Sequence, residues 1–360
     1  MQTRIAFYIT AHGFGHAVRS LAVIQELREI QPGLEMIIVS DIPDILIQQN
    51  STKAIFLRRR RLDVGLVQLD SLRFDLAATK RQLLELYRNR EALVSEEANF
   101  LRSHKVSAVF CDIPFLPFVA ASRVGLPAIG MGNFTWDWIY REEAFADPDW
   151  QLIVSWIRES YRHCGLFLQL PMHGDCSVIP RIMDVPMVAR HARHTPHQVR
   201  TFLGVEPGQK ITLISFTDLT LEPAAQDRLE TIRDSLFLYR RPLQFSIANG
   251  RCVEDEALSY ADLVGAADEV ITKPGYGIVA DCLVHGTPMI YSDRGPFPEV
   301  PILVEAMAAH LPVVFLPSEE LYAGNWEPAI RQLREQPRSQ PQIRGDGARV
   351  CAERILAHLG

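Results

Sequence analysis

The stretch Ile5-Ala6-Phe7-Tyr8-Ile9-Thr10-Ala11-His12-Gly13-Phe14-Gly15-His16 decides how this chain folds. Five apolar residues in a row read as a buried strand. Two glycines follow as a tight turn, and residues 20–30 then carry Leu21, Ile24 and Leu27 on one helical face. Near the other end, Val270-Ile271 runs into Thr272-Lys273-Pro274-Gly275-Tyr276-Gly277 and again into a helical pattern. A strand, a glycine turn and a helix N-terminus make an anion site, because unpaired backbone N–H groups and the helix dipole point at the same spot. Two such turns in one chain predict two α/β domains with a ligand held in the cleft between them.

Outward from these turns, short apolar runs alternate with amphipathic stretches. Strands are expected over 35–40, 54–57, 108–111 and 127–131, with helices over 74–104 and 115–124. From 172 to 199 the pattern dissolves into Pro, His and Arg, then restarts at 210–216 and continues through 243–248, 269–272, 288–291 and 313–316. A last helix is expected over 348–359. Alternating β and α at this spacing predicts parallel sheets with helices on both faces. The fold class is therefore α/β, two doubly wound Rossmann-like domains over 1–180 and 200–360, joined by a linker at 181–199.

The chain has 360 residues, 48% hydrophobic and 22% charged, which suits two ordinary domains. A net charge of −6 argues against a nucleic-acid partner. The exception is Arg58-Arg59-Arg60-Arg61, read as a solvated loop; peripheral contact with an anionic membrane is the alternative. The six cysteines are scattered, with no Cys-x-x-Cys pair, as expected of buried thiols in a reducing cytoplasm. Neither a signal-peptide pattern nor an apolar stretch of the ~20 residues a membrane span needs is visible.

The two turns resemble those of GT-B glycosyltransferases of the MurG-like and UDP-glycosyltransferase kind. The first matches their glycine loop at Gly15-His16, and the second their donor-binding segment, at Gly275, Gly277, Asp281, Gly286-Thr287-Pro288 and Met289-Ile290-Tyr291. The chain is also similar to the glycosyltransferase-like N-terminal half of plant L-arabinokinases. The matching segments are His12–Ala17, Asn133–Tyr140, Ile182–Pro186, Gly275–Gly277 and Phe297–Glu299, in order over most of the chain. The likeness stops short of the sugar-kinase half, so kinase activity does not carry over. Two departures stand out: Asp281 where the donor helix often has Glu, and Thr217-Asp218 where a glycine pair is common.

The resemblance implies a transferase using a nucleotide-diphosphate sugar, most simply a UDP-sugar, as co-substrate, without metal or other cofactor. His16 is the candidate base, because removing an acceptor hydroxyl proton suits an imidazole; capping the helix or touching a phosphate is its alternative role. Asp137 is a second catalytic candidate and Asp112 a third. Gly13, Gly15, Gly275 and Gly277 either let phosphate approach or only supply positive φ. Lys273 and Arg294 could neutralise the leaving diphosphate. Asp281 could accept from a ribose diol, and Glu299 from donor-sugar hydroxyls. Tyr276 lies within the donor turn. Asn133, Trp136, Trp138 and Tyr140 suit an acceptor sugar, or else core packing. Asp63 and Gln68 are placed on the same side.

Other patterns are set aside. Asp147-Pro148-Asp149 reads as a turn rather than a metal site. His191, His194 and His197 lie in the linker with nothing to aim them at a metal. No P-loop and no full Gly-x-Gly-x-x-Gly is present, which disfavours phosphoryl transfer and hydride transfer. A nucleotide-sugar epimerase and a non-catalytic nucleotide-sugar-binding module remain as rival readings.

Overall fold

The computed structural model describes residues 3–44, 47, 56–69, 73–145, 147–295, 297–338 and 343–359. The chain divides into two compact units, Met1–Val67 with Phe74–Val188 and Asp346–Gly360, and Gln68–Arg73 with Ala189–Gly345.

The first unit is built on seven parallel strands: β1 Arg4–Ile9, β2 Glu35–Val39, β3 Phe56–Arg58, β4 Ala108–Asp112, β5 Ala128–Gly132, β6 Leu166–Gln169 and β7 Ile182–Asp184. Their order is β3-β2-β1-β4-β5-β6-β7. Its helices are α1 Phe14–Ile30, α2 Leu76–Arg88, α3 Arg90–Ser103, α4 Leu116–Arg123, α5 Trp136–Ile139 and α6 Pro148–Tyr161. Residues 5–9 and 108–112 are buried throughout, as expected of parallel strands covered on both faces. Helix α1 starts earlier than its apolar spacing suggested. Gly13 sits at φ +79°, turning the chain from β1 straight into the helix and placing His16 in its first turn.

The second unit repeats the plan with α7 Pro196–Phe202, β8 Lys210–Ser215, α8 Pro223–Glu230, β9 Ser235–Tyr239, β10 Gly250–Cys252, α9 Tyr260–Ala266, β11 Glu269–Thr272, α10 Tyr276–His285, β12 Met289–Tyr291, α11 Glu299–His310, β13 Val313–Phe315, α12 Ser318–Ala323 and α13 Glu327–Arg334. The strands are parallel in the order β10-β9-β8-β11-β12-β13. The final helix, α14 Gly347–Leu359, leaves this unit and packs on α1 of the first. The expected C-terminal domain to 360 is corrected accordingly. A Cβ at Gly347 would stand 2.1 Å from the Pro186 carbonyl, so only glycine lets the returning chain lie that close.

Several local expectations also change. The stretch 181–199 is not a patternless linker: 182–184 adds the edge strand β7, and α7 opens with a capping box between Thr195 and Gln198. The strand expected at 243–248 lies instead at 235–239. Of the strand expected at 54–57, residues 54 and 55 lie outside the described residues. Asp147 is a helix cap rather than a turn residue, accepting from the Asp149 and Trp150 backbone N–H groups. The arginine run is ion-paired rather than simply solvated. Arg58 is bidentate to buried Glu97 at 2.6 and 2.9 Å, Arg59 pairs with Asp44 and Arg60 with Glu96.

Both sheets share the doubly wound order 3-2-1-4-5-6. Ligands of such sheets bind beyond the carboxyl ends of the strands where the order reverses. Those places are the ends of β1 and β4 in the first unit and of β8 and β11 in the second, and each carries one of the two glycine turns.

Candidate active site

In the first unit the register sets Ile9 opposite Asp112, so β1 and β4 end together at the reversal point. Asp112 is fully buried there, 2.7 Å from the His16 Nδ1. On its other side Arg19 donates Nε to Oδ2 at 2.7 Å and Nη2 to Oδ1 at 2.6 Å, and Ser20 donates its hydroxyl at 2.9 Å. Residues 16, 19 and 20 share one face of α1 because they are three and four apart. The ionised Asp112 can only accept, so its 2.7 Å contact assigns the His16 proton to Nδ1, although the Arg19 Nη2 also stands 2.9 Å from that nitrogen. The Nε2 is left with its lone pair, the form a general base requires.

Burial pushes the Asp112 carboxyl up, but Arg19 and His16 outweigh it and hold it at about 2. Asp112 is thus a carboxylate at any working pH. With its oxygens taken by His16, Arg19 and Ser20 and its carboxyl held that low, it is a weak proton acceptor that holds the His16 ring in place. The His16 ring stands edge-on to Phe134, with centroids 5.6 Å apart.

The other first-unit candidates divide differently than expected. Asp137 does not join His16. It is buried on α5, with Oδ2 accepting from Arg158 of α6 at 3.0 Å, and burial pushes its carboxyl up. Asn133 is buried and its Oδ1 accepts from Arg19 at 2.8 Å, so it steadies the arginine rather than facing a sugar. Trp136 is fully buried; its Nε1 donates to Asp63 at 2.9 Å and its ring stacks on Tyr140, whose hydroxyl donates to the Gly65 carbonyl. The aromatic segment is core, and the core reading of it replaces the sugar platform. Trp138, half-buried, packs where a Cβ on Gly174 would come within 2.5 Å. His12 stands edge-on to Trp136 as a packing residue. Gly13 is the N-cap of α1 and Gly15 lies in its first turn. Asp63 is buried beside this cluster, whereas exposed Gln68 falls in the 68–73 segment grouped with the second unit.

In the second unit, Gly275 caps α10 with no side-chain bond, and Tyr276 and Gly277 form its first turn, whose N–H groups have no partner within the helix itself. Gly275 is at φ −146°, so positive φ does not explain it. A Cβ there would meet nothing nearer than the Arg294 Nη1 at 3.9 Å, so the turn is open beside a guanidinium. Arg294 donates Nη1 to the Pro274 carbonyl at 2.7 Å and to Glu299 at 3.0 Å and lies over the Phe297 ring. Its Nε and the Ser292 hydroxyl are both buried without a hydrogen-bond partner among the described residues. Lys273 is half-buried at the end of β11.

Two donor-side assignments are corrected. Buried Glu299 anchors Arg294 and is not held out to sugar hydroxyls. Buried Asp281 has its carboxylate taken by Arg190, whose backbone N–H donates at 2.9 Å and whose Nε donates at 2.8 Å, so it does not offer itself to a ribose. Arg190 in turn lies 4.7 Å over the Tyr260 ring. Asp112, Arg19, Ser292 and Arg190 were not singled out as partners from sequence. The available signals were an acid ending an apolar strand for Asp112 and the i, i+3 spacing from His16 for Arg19.

Among the described residues no cluster of His, Cys, Asp and Glu could hold a metal ion. His191 bonds the Gly345 carbonyl at 3.0 Å and the His194 backbone N–H bonds Asp262, so these linker histidines are structural. No described helix is long and apolar enough to cross a membrane.

Comparison with known proteins places this geometry. The architecture is the GT-B fold. The glycosyltransferase of kitacinnamycin superposes with a TM-score of 0.62 at 16% identity, covering 99% of each chain. A UDP-glucosyltransferase from Polygonum tinctorium superposes with a TM-score of 0.61 at 13% identity over 100% of this chain and 98% of its own. In sequence, the chain is similar to L-arabinokinase of Arabidopsis thaliana, 27% identical over 335 residues. That match covers 91% of this chain and 32% of the relative, so the chain spans about a third of its length. No protein-family model matches the chain.

Proposed function

We propose that the protein is a glycosyltransferase that moves a sugar from a nucleotide-diphosphate sugar, a UDP-sugar, to a hydroxyl acceptor. The observation that supports this best is the buried His16–Asp112 pair at the reversal point of the first sheet, 2.7 Å apart, with the His16 Nε2 left to accept a proton. As the acceptor oxygen bonds to the anomeric carbon and the bond to the diphosphate breaks, that nitrogen takes the hydroxyl proton. In the second unit the α10 N-terminus, Arg294 and the Ser292 hydroxyl are donors of the kind that stabilises negative charge on a leaving diphosphate. The reading needs no metal, because those donors stabilise the leaving group. The acidic net charge and the six cysteines, all of them thiols, fit a cytoplasmic enzyme.

The donor half is tested by calorimetry with UDP. Arg294→Gln is expected to weaken binding by about 1.5–3 kcal/mol, the range for hydrogen bonds to charged groups. Unchanged affinity in a folded variant removes Arg294 from the diphosphate site.

A further inference from the structure

Asp112 is fully buried at the end of β4, and a carboxylate in that position needs a countercharge. Two groups in contact with it can carry one: the Arg19 guanidinium, and His16 in its protonated form. Arg19 is buried as well, and a guanidinium is charged at every working pH. It meets Asp112 as a fork, Nε to Oδ2 at 2.7 Å and Nη2 to Oδ1 at 2.6 Å, while its Nη1 donates to the Asn133 Oδ1 at 2.8 Å. The His16 Nδ1 reaches Oδ1 at 2.7 Å, the oxygen that already accepts from Arg19, and stands 2.9 Å from the Arg19 Nη2.

The charges of Asp112 and Arg19 cancel. A proton added to His16 would set a second positive charge against the guanidinium, with Asp112 already matched. The other ionisable groups around the pair leave that balance in place. Asp63, on the loop after β3, senses Arg61 more strongly than it senses His16. The thiols of Cys111 on β4 and Cys351 on α14 are pushed up by burial and stay neutral. Without the Arg19 charge the same geometry gives the opposite result. His16 would be the remaining group in contact with Asp112 able to match it, and the ring would take up a proton. An imidazolium has no lone pair on Nε2 and cannot act as a base.

We infer that Arg19 is the positioning residue that keeps His16 neutral: by matching buried Asp112 through its two-pronged contact, it frees the imidazole from that task and leaves Nε2 bare. That the bare nitrogen serves a sugar acceptor rests on the transferase reading; the arrangement of charge does not.

Full-length protein labelled with 15N at histidine is observed at pH 7, where ring 15N shifts separate protonated from bare nitrogens. The His16 signals among eleven histidines are identified by their loss in His16→Gln. In the parent, Nδ1 is expected to be protonated and Nε2 bare. Arg19→Gln keeps a hydrogen-bond donor and loses the charge, and is expected to show both ring nitrogens protonated. Arg19→Lys keeps the charge and loses the fork, and is expected to stay neutral like the parent. In turnover, Arg19→Gln is expected to run about tenfold or more below the parent at pH 7 and to recover as the pH is raised, because an unmatched carboxylate in contact favours the protonated ring by about that factor. A merely structural role would give a loss that higher pH does not restore. An imidazolium at His16 in the parent, or a neutral His16 in folded Arg19→Gln, overturns the inference. If Arg19→Gln does not fold, the parent and Arg19→Lys spectra decide, and an imidazolium in either overturns it. The spectra are taken without substrate, so a neutral His16 in the parent with no transfer to any acceptor removes the transferase reading alone.

Discussion

His16→Ala is expected to lower turnover by about 10²–10⁴-fold, the usual contribution of a general base, while UDP affinity stays unchanged. The expectation rests on where the histidine stands. It is in the first turn of α1, hydrogen-bonded through Nδ1 to Asp112, in the unit that does not carry the second glycine turn. If His16 instead helped hold phosphate, the same variant would lose donor affinity and keep most of its rate. Measuring both quantities on one folded variant separates the roles. A loss of less than tenfold in turnover would mean that the proton leaves by another route.

Asp112→Ala is expected to cost about 3–5 kcal/mol of stability, because it strands the buried Arg19 guanidinium and removes the acceptor of Ser20 as well. Urea unfolding checks this, and a variant within about 1 kcal/mol of the parent would show that Arg19 finds another partner. The same group sets an acid limit. Its folded carboxyl is held at about 2, below the ordinary value of roughly 3.9 in an unfolded chain. A lowered folded value adds stability that is fully present above about pH 4 and is lost as pH falls through about 2. The parent protein is therefore expected to lose on the order of 2–3 kcal/mol across that window through this residue alone. Asp112→Asn is expected to lack that part of the slope.

The sequence and the structure agree where the signal is local. A buried parallel strand, a glycine turn and a helix are consecutive in the chain, so both reversal points and the position of His16 were legible. What joins distant segments was not. The His16–Asp112 bond spans 96 residues and the Asp281–Arg190 pair 91, and no pattern near either residue announces its partner. Position 281 was correctly placed on the helix that follows the second glycine turn, but burial and an arginine brought in from the start of the second unit gave its carboxylate a structural task. The segment 133–140 was ambiguous for a chemical reason. Aromatic rings with polar edges serve a sugar platform or a core equally well, and Asp63, reaching the Trp136 indole across the fold, makes it core. The short edge strand β7 and the return of α14 to the first unit depend on packing partners far away in the chain, which apolar periodicity does not encode.

The central claim is transfer of a glycosyl group, and mass spectrometry of the reaction tests it most directly. The protein is incubated with a panel of UDP-sugars, alone and with a panel of hydroxyl acceptors. The account predicts that free UDP appears only when an acceptor is present, one for one with acceptor molecules heavier by a single glycosyl residue. A donor converted to its epimer without any acceptor, or a bound donor left intact with every acceptor, would contradict it.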